Sequence, residues 1–280
     1  MTTRAQFLQE AVQRLQATED ALREARLLLA AALGLDGAEI LAHGEKNLTA
    51  EEEKTADEWL SRREKGEPLS RLRGRRDFWK SSFLLNEATL DPRPETETII
   101  EAALAHYSGA APQRILDLGT GTGCILLSLL QEFPHASGLG TDQSARALQA
   151  AKENASRLGL QSRAQFQQTN WADGIDEKFD LIVSNPPYIP AKNIATLQPE
   201  VRLFDPPKAL DGGDDGLEAY RQIAKTLPRL LKPEALAILE IGMGQDKDVE
   251  KIFAAQNFKL MEARKDLAGI TRALVFHIAP

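Results

Sequence analysis

The 280-residue chain has a single cysteine, Cys124, so an intrachain disulfide is excluded. No apolar run approaches the roughly 20 residues that a membrane-spanning helix requires. The N-terminal stretch "MTTRAQFLQEAVQRLQ" carries charge throughout and lacks the apolar core and cleavage site of a secretory signal. A cytoplasmic protein with no membrane partner is therefore expected. Basic residues are outnumbered 34 to 41, a net charge of −7. That balance argues against coating of nucleic acid, whose non-specific affinity rests on many phosphate contacts. The densest basic stretch, "RLRGRR" with Arg71, Arg73, Arg75 and Arg76, reads as a solvated or ion-paired face, with a contact to RNA or a partner as the alternative. The four histidines, His43, His106, His135 and His277, show no ligand spacing, so no metal is expected. What remains is an ordinary globular composition, 42% hydrophobic and 27% charged, which is too apolar for a disordered chain.

Two regions differ in pattern. Residues 1–74 contain only helical periodicities: "TTRAQFLQEAVQRLQ", "EDALREARLLLAAALG" stopped by Gly34, "GAEILAHG", and "LTAEEEKTADEWLSRREKG" with Thr49 and three glutamates at its start. They predict a small all-helical domain. Residues 75–92 change character. "DFWKSSFLL" and "ATL" on either side of a polar Asn-Glu predict a hairpin linker. From 93 to 280 strands and helices alternate, which predicts an α/β domain with a mostly parallel sheet covered on both faces. The last two strands, "FKLMEARKD" and "TRALVFHIA", have no helix between them, so an antiparallel strand is expected at that edge.

"ILDLGTGTGCILLSLL" is a strand, a glycine loop and a helix. Gly119, Gly121 and Gly123 permit positive φ and close approach of a ligand to Thr120 and Thr122 between them. A dinucleotide loop would carry a third glycine at position 124, where this chain has Cys124. Cys124 reads as a packing residue. The spacing G-x-G-x-G after Asp117 resembles motif I of S-adenosylmethionine methyltransferases. Asp142 closes the next strand in "GLGTD", where a carboxylate can accept two ribose hydroxyls. Trp171 in "TNWADG" follows the third strand and is read either as an adenine-stacking ring or as a core tryptophan.

The fourth strand, "FDLIV", runs into "SNPPYI". Pro186 and Pro187 fix two φ angles and remove two donors, so the ladder stops there. Asn185 then stands at the carboxyl edge where parallel sheets bind ligands. Its side-chain oxygen can accept one N–H of a planar amide or exocyclic amine, the Pro186 carbonyl can accept the other, and Tyr188 can pack on the flat face. The plainer alternative is a proline strand terminator with a surface tyrosine.

"NPPY" resembles the N-methyltransferases that modify exocyclic amines of bases and glutamine side chains. With "GEPLSRLRG", "DFWKSSF", "LDPRPETE", "LDLGTGTGC", "NPPYIP" and "DPPKALDGGDDGLEAYR", nearly the whole chain resembles the peptide chain release factor glutamine methyltransferase family. That resemblance implies a Rossmann-like seven-stranded methyltransferase sheet with an antiparallel last strand, preceded by the helical domain. It implies methyl transfer from S-adenosyl-L-methionine, leaving S-adenosyl-L-homocysteine, to the glutamine amide of the Gly-Gly-Gln loop in class 1 release factors. Gly119, Thr120, Gly121, Thr122, Gly123, Asp142, Trp171 and Asn185 would hold the cofactor. Asn185, Pro186, Pro187 and Tyr188 would hold the glutamine, and Arg93, Glu95 and Glu97 would line the site. The helical domain would help dock the factor, with the enzyme a monomer and no direct nucleic-acid contact. Two residues depart from the pattern: Asp91, where an aliphatic residue is usual, and Asn170, where an aspartate is common and adenine contacts could change. A ribosomal-protein glutamine methyltransferase would share the same core motifs. A nucleic-acid N-methyltransferase is disfavoured by the acidic charge.

Overall fold

A computed structural model describes residues 1–18 and 20–278. The chain forms two compact units, Met1–Arg75 with Gln198–Phe204, and Arg76–Leu197 with the residues from Asp205 onward.

The first unit is helical, as the periodicity predicts: α1 (Arg4–Arg14), α2 (Ala21–Leu33), α3 (Gly37–Ala42), α4 (Ala50–Glu64) and α5 (Leu69–Arg73). Thr3 and Thr49 each close a reciprocal capping box, and Gly34 ends α2 with φ +67°. Their apolar stripes meet in one core around Phe7, Leu28, Leu29, Ile40 and Leu60. The later segment 198–204 returns to this unit, where Glu200 accepts from the buried Arg63 guanidinium at 2.6 Å.

The second unit opens with a two-stranded ribbon, β1 (Arg75–Phe78) and β2 (Ser81–Leu84). The turn differs from the expected one. It falls at Trp79-Lys80, with Trp79 at φ +54°, and "ATL" is not a strand. Asn86 instead organises a tight turn, accepting from Ala88 N through Oδ1, which ends the ribbon. The order then alternates: α6 (Glu97–His106), β3 (Arg114–Leu118), α7 (Cys124–Glu132), β4 (Ser137–Asp142), α8 (Ala145–Arg157), β5 (Ala164–Gln168) and β6 (Phe179–Ser184). Short helices follow, α9 (Ala191–Ile194), α10 (Pro199–Phe204, in the first unit) and α11 (Pro207–Leu210). The chain closes with α12 (Glu218–Thr226), β7 (Leu231–Glu240), α13 (Asp246–Ala254), β8 (Phe258–Lys265) and β9 (Thr271–Ile278).

Seven strands form one sheet in the order β5-β4-β3-β6-β7-β9-β8. β9 runs antiparallel to both its neighbours, β7 and β8. The antiparallel strand is therefore the last, but it lies inside the sheet, and β8 takes the edge. β9 explains the inversion: Ala273, Leu274, Val275 and Phe276 are all buried, whereas the β8 pattern alternates with solvent. Strand alternation feeds two cores. Ile115, Leu181, Val183, Leu236 and Ile238 face α6 and α7, while Leu116, Leu118, Ile182 and Leu239 face α12 and α13. The order reverses between β3 and β6, the switch point where parallel α/β sheets open a crevice at their carboxyl ends.

Candidate active site

A cavity of about 490 Å³ opens at that switch point, within the roughly 300–1,000 Å³ usual for small-molecule sites. Its floor is the glycine loop between β3 and α7. Gly119 and Thr120 donate backbone N–H groups to Thr141 O on β4 at 2.9 and 2.8 Å, so the loop hangs from the neighbouring strand. Gly119, Gly121 and Gly123 take φ of +74°, +54° and +80°. The loop's roles divide. Gly119, Thr120, Gly121 and Thr122 line the cavity. Gly123 does not line it. A Cβ there would meet Leu127 at 3.1 Å and Ala151 at 3.3 Å, so this glycine permits α7 and α8 to pack. Asn154, fully buried on α8 and not anticipated from sequence, donates to Thr122 O at 3.0 Å and to Leu84 O at 3.1 Å. It ties the loop to the ribbon.

Asp142 lines the cavity from the end of β4. Its two oxygens also accept Gly121 N at 3.0 Å and Ser144 N at 2.8 Å. Burial raises its pKa against those bonds. Asp117 lies beneath the loop, wholly buried, with Thr120 Oγ1 donating to Oδ2 at 2.6 Å and Oδ1 unpartnered. Burial pushes its carboxyl up to about 7. Cys124 is buried and its thiol is pushed up to about 12 by burial, which suits the packing role read from sequence.

Trp171 lines the cavity and also packs on the α12–α13 core. It holds φ +50°, and its indole donates to Gln222 Oε1 at 2.7 Å. Asn170 stays outside the lining. It accepts from Gln143 at 2.8 Å, and Gln143 is a lining residue. The departure at 170 thus touches the cavity only through Gln143.

β6 delivers the opposite wall. Val183 faces α6, and Asn185, two residues on, points the same way and donates Nδ2 to Thr96 Oγ1 at 3.1 Å. Asn185, Pro186 and Pro187 line the cavity. Tyr188 is not among the lining residues. Its hydroxyl approaches Glu240 Oε1 at 3.3 Å, and its pKa is raised by burial and by that carboxyl. Glu240, the last residue of β7, is buried and pushed up to about 7, chiefly by burial. Neither it nor Thr96 was singled out by sequence. The signal for Thr96 lay in "PRPETE", but the expected residues of that motif do other work. Arg93 pairs with buried Asp205 at 2.5 Å and Glu97 accepts from Trp79 N at 2.7 Å. Pro92 and Thr96 line the cavity, not Arg93, Glu95 or Glu97. Asp91, the other departure, is buried beside Arg76 at 3.7 Å.

The glycines of "ALDGGDDGL" also find their reason here. A Cβ on Gly212 would sit 2.9 Å from Pro187 O and from Tyr188 Cα, and one on Gly216 would sit 2.4 Å from Tyr188 O. Gln245 completes the clamp, donating to Tyr188 O at 3.0 Å and Gly216 O at 3.3 Å while accepting Gly242 N at 2.9 Å. Among the described residues no cluster could hold a metal ion, and no helix is long and apolar enough to cross a membrane.

Residues 6–74 match the PrmC N-terminal domain family and residues 97–202 the methyltransferase small domain family. The chain is 47% identical to a release factor glutamine methyltransferase of Rhodospirillum rubrum, over 90% of this chain and 78% of that protein. The chain belongs to the release factor glutamine methyltransferase family. A member from Agrobacterium fabrum is 45% identical over 94% of this chain and 93% of that protein. The fold of the family's catalytic part extends further. The crystal structure of a ribosomal protein L11 methylase from Lactobacillus delbrueckii subsp. bulgaricus superposes with a TM-score of 0.51 at 21% identity, covering 67% of this chain and 81% of that one.

Proposed function

We propose that the chain transfers a methyl group from S-adenosylmethionine to the side-chain amide nitrogen of the glutamine in the Gly-Gly-Gln loop of class 1 release factors. One observation carries this reading. Asn185 commits its Nδ2 to Thr96, which leaves the side-chain oxygen as the acceptor facing an incoming amide at the cavity wall.

The lining fits the cofactor. A glycine loop without a basic residue suits a ligand that has no pyrophosphate, and Asp142 offers a carboxylate on the same cavity wall beside the loop. Lys208 is the single cation among the lining residues and Asp142 the single carboxylate, so the lining carries no net positive charge against a sulfonium. Gly119 to Thr122, Asp142, Gln143 and Trp171 would hold the nucleoside. When bound, the cofactor supplies an electrophilic methyl group, and the protein's part is to present a poor nucleophile to it. An amide nitrogen shares its lone pair with its carbonyl. Asn185 Oδ1 accepts one N–H of the glutamine and the Pro186 carbonyl the other, which orients the nitrogen and draws density onto it. Pro186 and Pro187 keep that carbonyl fixed, because two backbone φ angles are locked. The proton leaves after transfer, so no strong base is needed. Positioning of this kind can supply up to about 7–11 kcal/mol of a barrier. The helical unit would serve as a docking surface for the factor, with the enzyme acting as a monomer.

The test is to incubate the protein with methyl-labelled S-adenosylmethionine and a purified class 1 release factor, then map the label by mass spectrometry. Label on the Gly-Gly-Gln glutamine, reduced at least about 10²-fold by Asn185→Ala, is the expected result. Label confined to a ribosomal protein or RNA of a lysate would overturn the substrate while leaving the fold untouched.

A further inference from the structure

The two prolines that stop the β6 ladder also leave the loop without donors. Residues 186 and 187 have no N–H, so no acceptor elsewhere can hold their backbone. Among the described residues, the first carbonyl after Asn185 that accepts a hydrogen bond is that of Tyr188, and its donor is Gln245 Nε2 at 3.0 Å. Gln245 is half-buried, is not a lining residue of the cavity, and belongs to none of the sequence motifs.

Gln245 is itself anchored on both sides. Its backbone N–H donates to Gly242 O at 3.1 Å while its Oε1 accepts Gly242 N at 2.9 Å, a closed ring just past β7. Its carbonyl accepts Val249 N at 2.9 Å, the first turn of α13. From that base Nε2 donates to Tyr188 O and to Gly216 O, the second at 3.3 Å. All the partners of the carboxamide are backbone groups, two carbonyls and one N–H, so only one end of the amide can face each. A Cβ on Gly242 would stand 2.7 Å from Gln245 Oε1 and 3.0 Å from Tyr188 Cδ2, so bare backbone at 242 lets the carboxamide and the tyrosine ring meet.

We propose that Gln245 is a positioning residue for methyl transfer: by holding the Tyr188 carbonyl from outside the cavity, it sets where the Pro186 carbonyl stands before the substrate amide. The proposal rests on the functional reading above and deepens it. The Pro187 ring locks φ between the Pro186 and Tyr188 carbonyls, so fixing the second narrows where the first can point. The exit of the loop is fixed as well, because Ile189 N donates to Leu210 O at 3.1 Å and Ile189 O accepts Gly212 N at 2.9 Å. The Tyr188 hydroxyl, 3.3 Å from Glu240, holds the ring and not the backbone. Gln245 is thus the side chain that fixes the backbone of the proline loop after Asn185.

The experiment measures methylation of a class 1 release factor by the full chain and by Gln245→Met and Gln245→Glu. It reads kcat per cofactor-binding site, KM for the factor and cofactor Kd, with sites counted and Kd measured by calorimetry, so unfolded protein does not register as lost turnover. Gln245→Met keeps the length of the side chain and removes the donor. Its kcat should fall about tenfold to a hundredfold, with KM and Kd each within about threefold of the parent. Gln245→Glu keeps the acceptor for Gly242 N and, at about pH 8, turns an ionised carboxyl towards two carbonyls. Its kcat should fall about tenfold or more, again with Kd nearly kept. A kcat within about threefold of the parent in either variant, or a loss confined to KM or Kd, would overturn the proposal. Should one variant fail to bind cofactor, the other decides. Should both fail, Gln245 supports the fold and not the aim of the loop, and the proposal falls. If the unaltered protein leaves the glutamine unlabelled, the functional reading fails. If it labels the glutamine and the variants match it, only the role of Gln245 fails.

Discussion

Two loops build the site, and they are stabilised in opposite ways. The glycine loop is held mostly by its own strand and the adjacent one, through Thr141, Asp142 and the Thr120 bond to Asp117, with Asn154 of α8 as its one distant tie among the described residues. The proline loop is held from a distance. Thr96, Gly212, Gly216, Glu240 and Gln245 all press on four residues, 185 to 188, from separate parts of the sequence. The difference suits the role proposed for each. A cofactor loop needs backbone that can approach a ligand closely, which glycine supplies by itself. An amide-orienting loop needs its side chains aimed, and rigidity at a strand end has to come from neighbours.

The sharpest way to break that contrast is Gly216→Ala. A Cβ 2.4 Å from Tyr188 O, at φ +79°, must displace the proline loop. Turnover should fall about 10²-fold or more, a displacement of that size being enough, with cofactor Kd little changed. Calorimetry beside single-turnover assays checks both. Asp142→Ala strikes the other loop and should do the reverse. Loss of charge-assisted bonds worth about 1.5–3 kcal/mol predicts a cofactor Kd weakened roughly 10–100-fold, with kcat at saturation nearly kept. Parallel losses in kcat would erase the distinction.

The two buried carboxyls, Asp117 and Glu240, give a pH signature. Both are raised to about 7 in the folded chain, whereas unfolded carboxyls titrate near about 4. Between those values the native state holds protons that the unfolded state has released. Stability is then fully present at low pH and declines as pH rises towards 7. Melting temperature should drop by several degrees from pH 5 to pH 8, and Asp117→Asn, which can still accept from Thr120, should flatten part of that slope. A melting temperature independent of pH in this window would refute the assignment. The smallest effect belongs to Trp171→Phe. It keeps a ring on the cavity but loses the bond to Gln222, worth about 1 kcal/mol, and some packing on the core, so melting should fall by at least about 2–4 °C with affinity within about threefold.

The same contrast explains what could be read from sequence. Gly119, Gly121, Asp142, Asn185 and Pro186 were legible because their chemistry is local: a spacing, a strand end, a locked φ. Glu240 reads as the last letter of an apolar strand and Thr96 as one residue in a helix start, and nothing nearby marks the first as a partner of Tyr188 or the second as a partner of Asn185. The ribbon turn was misplaced because Trp79 at φ +54° carries no turn signal, whereas Asn-Glu further on does. The position of β9 escaped for a related reason. Two strands without a helix between them predict an antiparallel pair, but which one is outermost depends on how each strand's burial compares, as the continuous apolar run of β9 shows.

That position of β9 bears on how the chain reaches its native state. Synthesis releases six strands of the large sheet before the one that both β7 and β8 require as neighbour. Until Thr271–Ile278 arrives, β7 presents an unpaired, strongly apolar edge, a template for association with other chains. The strand that closes it must also insert between two others instead of adding to a rim, a non-local step of the kind that slows folding. Glu240 sits at the end of that same open edge, paired with Ala273 only once insertion is complete. The strand end beneath Tyr188 is thus completed late, and a nascent chain stalled before β9 would be a hazard to its neighbours before its sheet was whole.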